Sequence, residues 1–156
     1  MKNDRKMIPI FFSSDDNYLP YLAVSIRSLI ENASPDYCYR IHILNNGLNA
    51  ERLSLILSME QENVEIVSVD VTHVIEPIAE RLNLRDYYTV SIYFRSFIAS
   101  MFPQYHKAIY LDADIAVNGD ISALYQIALG QRILGVVSDD IIASHRDFRR
   151  YSEEAL

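Results

Sequence analysis

Apolar residues fall along this chain in short blocks that switch between two periods. Ile8 to Ser13 is a compact apolar run and reads as a strand, with Pro9 near its start, where a missing N–H is tolerated. Leu19, Leu22, Ala23, Ile26, Leu29 and Ile30 then recur at helical spacing and predict a helix from about Tyr18 to Glu31. Tyr39 to Leu44 predicts a second strand, ended by the turn Asn45-Asn46-Gly47. Asn49 stands where it can cap a helix whose apolar face includes Leu53, Ile56 and Leu57. Val64 to Val69 alternates as a third strand, and a looser helical stretch starts at Thr72 or His73 and reaches about Leu82.

The second half continues the alternation. Ser91 can cap a helix carrying Phe94, Phe97, Ile98 and Met101 on one face, and Pro103 stops it. Lys107 to Leu111 predicts a strand, Ile121 to Leu129 a short helix, and Ile133 to Ser138 another strand. Strands alternating with helices imply an α/β fold: a mostly parallel sheet with helices on both faces. After Ser138 the chain turns polar and charged. That stretch reads either as a frayed terminal helix or as the point where the front part of a longer protein passes into the rest.

The candidate chemistry sits at Ala108-Ile109-Tyr110-Leu111-Asp112-Ala113-Asp114-Ile115-Ala116-Val117. An apolar run ends in two carboxylates spaced Asp-x-Asp, and an apolar run follows. In an extended backbone, side chains at i and i+2 share a face. Asp112 and Asp114 should therefore converge at the end of a buried central strand, near Asp15 at the end of the first. Adjacent anions repel and are costly to desolvate, so a divalent cation between them, with a phosphate-bearing ligand on its far side, is the natural arrangement. The bland reading is a pair of exposed loop aspartates, against which the apolar flanks argue.

Composition narrows the classes. At 156 residues the chain suits one domain, and with half its residues hydrophobic it can bury a core. A net charge of −7 argues against a general nucleic-acid binder, which presents a basic face. A bound metal can still invert the local charge toward an anionic ligand. With Cys38 as its single cysteine, the chain forms no internal disulfide and has no Cys-x-x-Cys motif. No apolar run is long enough to span a membrane, and polar Met1 to Lys6 does not read as a signal peptide. A cytoplasmic setting, with at most peripheral membrane association, is expected.

Four collinear segments resemble one family. They are Phe12-Ser13-Ser14-Asp15-Asp16-Asn17-Tyr18 after the first strand, Ser91-Ile92-Tyr93-Phe94-Arg95, Tyr110-Leu111-Asp112-Ala113-Asp114, and Leu134-Gly135 to Asp139. Together they are similar to the N-terminal part of family-eight glycosyltransferases, the family of glycogenin and of bacterial lipopolysaccharide galactosyl- and glucosyltransferases. The resemblance implies a GT-A fold, a Rossmann-like α/β sandwich that takes a UDP-sugar with Mn²⁺ (or Mg²⁺) and transfers the hexose to a glycan acceptor with retention of configuration. It implies that Asp112 touches ribose and metal, that Asp114 ligates the metal, and that Asp15 and Asn17 read uracil and ribose. Ser13 and Ala113 join the nucleotide-sugar set. Arg95 and Asp139 face the diphosphate and donor sugar as catalytic residues.

Chemistry supports the same assignments. Breaking a sugar–UDP bond leaves charge on the β-phosphate, which a Lewis acid stabilises. Carboxylate and phosphate oxygens suit Mn²⁺ or Mg²⁺ better than zinc, and an arginine adds a fork of donors to phosphate. Ordinary roles exist for each residue. Asp15 or Asp16 can cap the helix beginning at Tyr18, Arg95 can be a surface arginine, and Asp139 a turn residue.

The chain departs from the family in lacking its later motifs: an Asn-Ala-Gly segment, a Gln-Asp pair, and a His-x-x-Gly-x-x-Lys-Pro-Trp segment. His145 does not fit the last pattern, and His42, His73 and His106 read as structural or surface residues. Residues 1–156 are therefore expected to form a nucleotide-sugar-binding domain without its acceptor-side half. The alternatives are a non-catalytic nucleotide-sugar-binding module and a haloacid-dehalogenase-type phosphatase, which wants Thr or Val where Ala116 stands. A calcium loop beginning at Asp112 would want glutamate where Ala123 stands.

Overall fold

The computed structural model describes residues 5–81 and 90–137. The chain divides into two compact units, Met1–Gln126 and Ile127–Leu156. In the first, the strands β1 (Lys6–Ser13), β2 (Tyr37–Asn45), β3 (Val64–Asp70) and β4 (Ile109–Tyr110) form one parallel sheet in the order β3-β2-β1-β4. β1 is flanked on both sides, Ile10 standing opposite Ile41 of β2 and Ile109 of β4. A strand covered on both faces needs an unbroken apolar run, which Ile8 to Phe12 supplies. The strand starts earlier than expected, so Pro9 lies inside it, and β4 joins only from Ile10 onward.

Helices cover both faces. α1 (Leu19–Glu31) and α2 (Ala50–Leu57) pack on the face that carries Ile8, Ile10, Phe12, Ile41 and Ile43. The short α3 (Thr72–Ile75), a 3₁₀ segment Val90–Phe97 and α4 (Ile98–Met101) pack on the opposite face, around Phe11, Leu44 and Phe94. Asn49 caps α2 as expected, its side chain accepting from Arg52 N at 3.0 Å. The stretch after β3 is α3 followed by a 3₁₀ segment, Glu76–Arg81. Leu82 lies outside the described residues. The helix expected to be capped by Ser91 is a 3₁₀ turn series that already includes Val90, becoming α-helical only at Ile98. Its apolar face is nonetheless the one expected, with Phe94 fully buried.

Two expectations about strands fail. β4 spans Ile109–Tyr110 instead of Lys107–Leu111, and among the described residues it is an edge strand and not a central one. The helix α5 (Ser122–Gln126) is shorter than Ile121–Leu129. In the second unit, Ile133 to Val137 form no strand, and Ser138 lies outside the described residues. Apolar composition does not provide a hydrogen-bonding neighbour, and Gly135 inside the run weakens strand formation further.

His42, read as a structural or surface residue, is structural: it sits buried in an aromatic nest on β2. Its ring stacks on Phe11 with centroids 4.6 Å apart, and Nε2 lies 3.1 Å from the Tyr105 hydroxyl. Nδ1 is buried without a hydrogen-bond partner among the described residues. Burial, helped by the nearby Arg40 charge, holds the imidazole down to about 4. The folded value lies below the unfolded one, near about 6.5, so the fold favours the neutral ring. This stabilisation is complete above about pH 6.5 and is lost as pH falls toward about 4. Thermal midpoints should decline between about pH 6.5 and 5, above the carboxylate range. The variant His42→Phe should flatten that decline, and equal slopes for the two proteins would refute the assignment.

Candidate active site

The strand order reverses between β1 and β4. From β1 the chain steps outward to β2 and β3, then returns to the other side of β1. In open α/β sheets the helices diverge at such a switch point and leave a crevice beyond the carboxyl ends of the strands. Here those ends are followed by Ser14 to Asn17 after β1 and by Leu111 to Asp114 after β4. Asp15 and Asp112 thus lie at the same edge of neighbouring strands, as expected.

On the Phe11 side of the crevice, Arg95 organises a polar group. A guanidinium nitrogen donates to Asp112 Oδ1 at 3.0 Å, and Nε donates to the Ile92 carbonyl at 3.1 Å. The guanidinium lies over the Tyr110 ring, 4.5 Å from its centroid. Tyr110 pairs in register with Phe11, which places it on the floor of the site, and burial pushes its phenol up. Arg95 and Asp112 side chains remain 44% and 57% exposed, so the pair is open to a ligand. Beside them, Ser13 ends β1 with a buried hydroxyl next to the Tyr110 phenol.

The loop after β1 is shaped by its own aspartates. Asp15 Oδ1 accepts from Asn17 N at 2.9 Å and from Tyr18 N at 3.1 Å, closing the turn before α1; it does not cap the helix, whose N-cap Tyr18 makes no side-chain cap bond. Asp16 Oδ1 accepts from Asn49 N at 2.7 Å and ties this loop to the start of α2. Asp16 and Asn17 are exposed and Asp15 half-buried.

The Asp-x-Asp residues do not continue a strand. Ala113 and Asp114 form a turn, so the chain reverses at the sheet edge. Asp112 faces Arg95, while Asp114 lines a shallow depression of about 160 Å³ with Tyr21, Val24, Ile115 and Ala116. The expectation that both side chains share a strand face is corrected: they share a reversal. Ala113 is buried, and its carbonyl accepts from Ser25 Oγ at 2.7 Å. Asp139 lies outside the described residues.

Both aspartates are exposed, and among the described residues no group of three or more His, Cys, Asp or Glu gathers to enclose a metal. Two carboxylates with open positions fit a hard cation that completes its shell with phosphate oxygens and water. They do not suit a closed structural zinc site.

Sequence reading missed Tyr110 as the platform for Arg95. It also missed Ser25 and Ser28 of α1 and Asn32 at its C-cap, all of which hydrogen-bond to the segment after the aspartates. Their signal was available: three small polar residues at i, i+3 and i+7 form one stripe along α1 and its C-cap, apart from the Arg27–Glu31 pair.

The parallel α/β sheet, with acidic residues and an arginine at its switch point, has the GT-A fold of the solved structures it resembles. The solved galactosyltransferase LgtC, in complex with donor and acceptor sugar analogs, superposes with a TM-score of 0.74 at 26% identity, over 92% of this chain and 51% of that one. The model of glycosyl transferase family 8 matches residues 9–155, and the chain belongs to that family. Glycosyltransferase GlyF of Streptococcus pneumoniae serotype 4 is 30% identical over 132 residues, 83% of this chain and 31% of that protein. Lipopolysaccharide 1,2-glucosyltransferase of Escherichia coli K12 is 23% identical over 158 residues, 99% of this chain and 45% of that protein. The chain therefore spans less than half the length of these curated relatives. Among the described residues no helix is long and apolar enough to cross a membrane.

Proposed function

We propose that this chain is the donor-binding part of a metal-dependent, retaining hexosyltransferase that moves glucose or galactose from a UDP-sugar to a glycan acceptor. The observation that carries the reading is the Arg95–Asp112 pair at the β1–β4 switch point. Relatives named as a lipopolysaccharide glucosyltransferase and a galactosyltransferase support the substrate class. A reducing, cytoplasmic setting agrees with the lone Cys38.

In this reading Asp112 and Asp114 hold Mn²⁺ or Mg²⁺, which when bound supplies Lewis-acid stabilisation of the departing diphosphate. Asp15 and Asn17 contact uracil and ribose, and Ser13 belongs to the nucleotide-sugar set at the end of β1. The Ala113 backbone lies beside the donor. Arg95 keeps donors to spare after its bonds to Asp112 and Ile92. Held flat on Tyr110, it can turn them on the β-phosphate oxygens as the bond to the anomeric carbon breaks. Asp139, outside the described residues, is assigned its catalytic role at the donor sugar by the family resemblance alone.

The test is a thermal-shift titration of this chain with UDP, with Mn²⁺ or with chelator. Binding to the native state at a hundredfold excess over Kd raises stability by about 2.7 kcal/mol. That gain is expected only with metal, and Asp114→Asn should abolish it. Equal stabilisation in chelator would refute the two-carboxylate site.

A further inference from the structure

We propose that Ser25 and Ser28 of α1 and Asn32 at its C-cap are positioning residues that fix the Asp112–Asp114 reversal for its ligand. The inference rests on the donor-site reading above and adds the means by which the aspartates are held.

The reversal has little regular structure of its own. On the way in, β4 pairs with β1 at only two positions, and Leu111 N donates to the Phe11 carbonyl at 2.9 Å. On the way out, no strand receives it among the described residues. Its backbone groups must still find partners, because an unmet buried polar group costs as much as a lost hydrogen bond. The side chains of α1 take the place of the missing strand. Ser25 Oγ lies 2.7 Å from the Ala113 carbonyl and 2.5 Å from the Ile115 carbonyl, sharing its one proton between them. Ser28 Oγ accepts from Val117 N at 2.9 Å and donates to the Ser25 carbonyl at 2.8 Å. Asn32 Nδ2 donates to the Val117 carbonyl at 3.0 Å and to the Ser28 carbonyl at 2.9 Å.

The two periods match. Carbonyls at 113, 115 and 117, every second residue, all turn toward α1, where the polar residues recur every helical turn. The segment is thus carried down α1 from the site edge toward the amino edge of the sheet. There Asp120 accepts from the Tyr39 hydroxyl at 2.9 Å and secures its far end. Ser25 is fully buried, so its hydroxyl has no solvent role. Its bonds flank Asp114 on both sides in sequence, at 113 and 115. Losing them frees the peptide units that aim the Asp114 carboxylate, while the Arg95 contact holds Asp112 from the other side.

The experiment uses the whole chain and has two readouts. The first is amide hydrogen exchange. Ser25→Ala should raise exchange at Val117, whose amide donates to Ser28 Oγ, at least about tenfold over wild type, with β1 and β2 amides unchanged. The second is the Mn²⁺ concentration that half-saturates UDP binding, which should rise about tenfold, in the range seen when residues that orient metal ligands are removed. Ser25→Thr, which keeps the hydroxyl, should restore both. Ile66→Ala, in the β3 core away from the reversal, should lower the thermal midpoint without changing the Mn²⁺ requirement. If wild type binds and Ser25→Ala binds equally well, the proposal is overturned. If wild type does not bind Mn²⁺ and UDP at all, the donor-site reading falls, and exchange alone decides whether the ladder fixes the reversal. Unchanged exchange in Ser25→Ala would overturn it in either case.

Discussion

Replacing Phe11 with alanine is expected to lower stability by about 3–5 kcal/mol, the usual cost of emptying a large buried aromatic site. Phe11 is fully buried near the centre of the sheet, on the side opposite α1. Its ring meets His42 at 4.6 Å, Phe102 at 4.8 Å and Tyr105 at 6.1 Å between centroids. These contacts join β1 and β2 to the segment that follows α4. The cavity cannot close easily, because the strands around it are fixed by their ladders and the nearest rings come from separate elements. Phe11→Leu retains most of the volume and should cost distinctly less, on the order of 1–1.5 kcal/mol. Urea denaturation would measure both. The loss should also reach the site, since the Val90–Phe97 segment that carries Arg95 packs on the same cluster. A drop below about 1 kcal/mol for Phe11→Ala would mean that this face is looser than its contacts indicate.

Much of this architecture is legible in the sequence because burial on both faces leaves an unambiguous mark. Ile8 to Phe12 is an unbroken apolar run, Tyr39 to Leu44 alternates apolar residues with Arg40 and His42 as a strand does, and Leu19 to Ile30 keeps its helical period without a break. The capping role of Asn49 is local chemistry, so it too can be read directly. What eludes the sequence depends on partners distant in the chain. Lys107 to Leu111 carries a strand pattern, yet only Ile109 and Tyr110 find a ladder, because β1 offers pairing positions only at Ile10 and Phe11. Ile133 to Val137 has the composition of a strand without its pairing.

The site divides in the same way. The residue types and their spacing were visible, and the placement of Asp112 and Asp15 at one edge followed from the strand–helix alternation. The conformation of Asp112 to Asp114 did not, since period-two reasoning presumes an extended backbone and the chain turns there instead. The turn is set by Ser25, Ser28 and Asn32, which lie more than 80 positions away in sequence. Asp120 shows the same dependence on context. Burial works to raise its carboxyl, but hydrogen bonds from the Ser122 side chain and backbone and from Tyr39 hold it below the usual range. It therefore serves as the anchor of α5 and of the returning segment.

Arg95→Ala is expected to be nearly silent in stability and severe in function. The ion pair with Asp112 is half-exposed, and such pairs contribute only about 0–1 kcal/mol because water competes for both partners. The stacking on Tyr110 adds a contribution of similar size, about 0.5–1 kcal/mol at an exposed site. Together these predict a small fall in the unfolding midpoint. Function rests on a different quantity. As the sugar–phosphate bond breaks, charge builds on the diphosphate, and a pre-positioned donor stabilises that charge more than it stabilises the bound donor sugar. Removing one such donor costs about 10²–10³ in rate. Release of UDP from UDP-glucose and UDP-galactose, followed in a protein that carries this domain, should fall by that factor with the KM for donor changing less. Arg95→Lys should recover little, because a lysine keeps the charge but lacks the planar fork that both stacks on Tyr110 and reaches Asp112 and phosphate together. Full activity in the lysine variant would show that Arg95 acts as a bulk charge. Full activity in the alanine variant would assign it to the scaffold, with the exposed ion pair as its whole role.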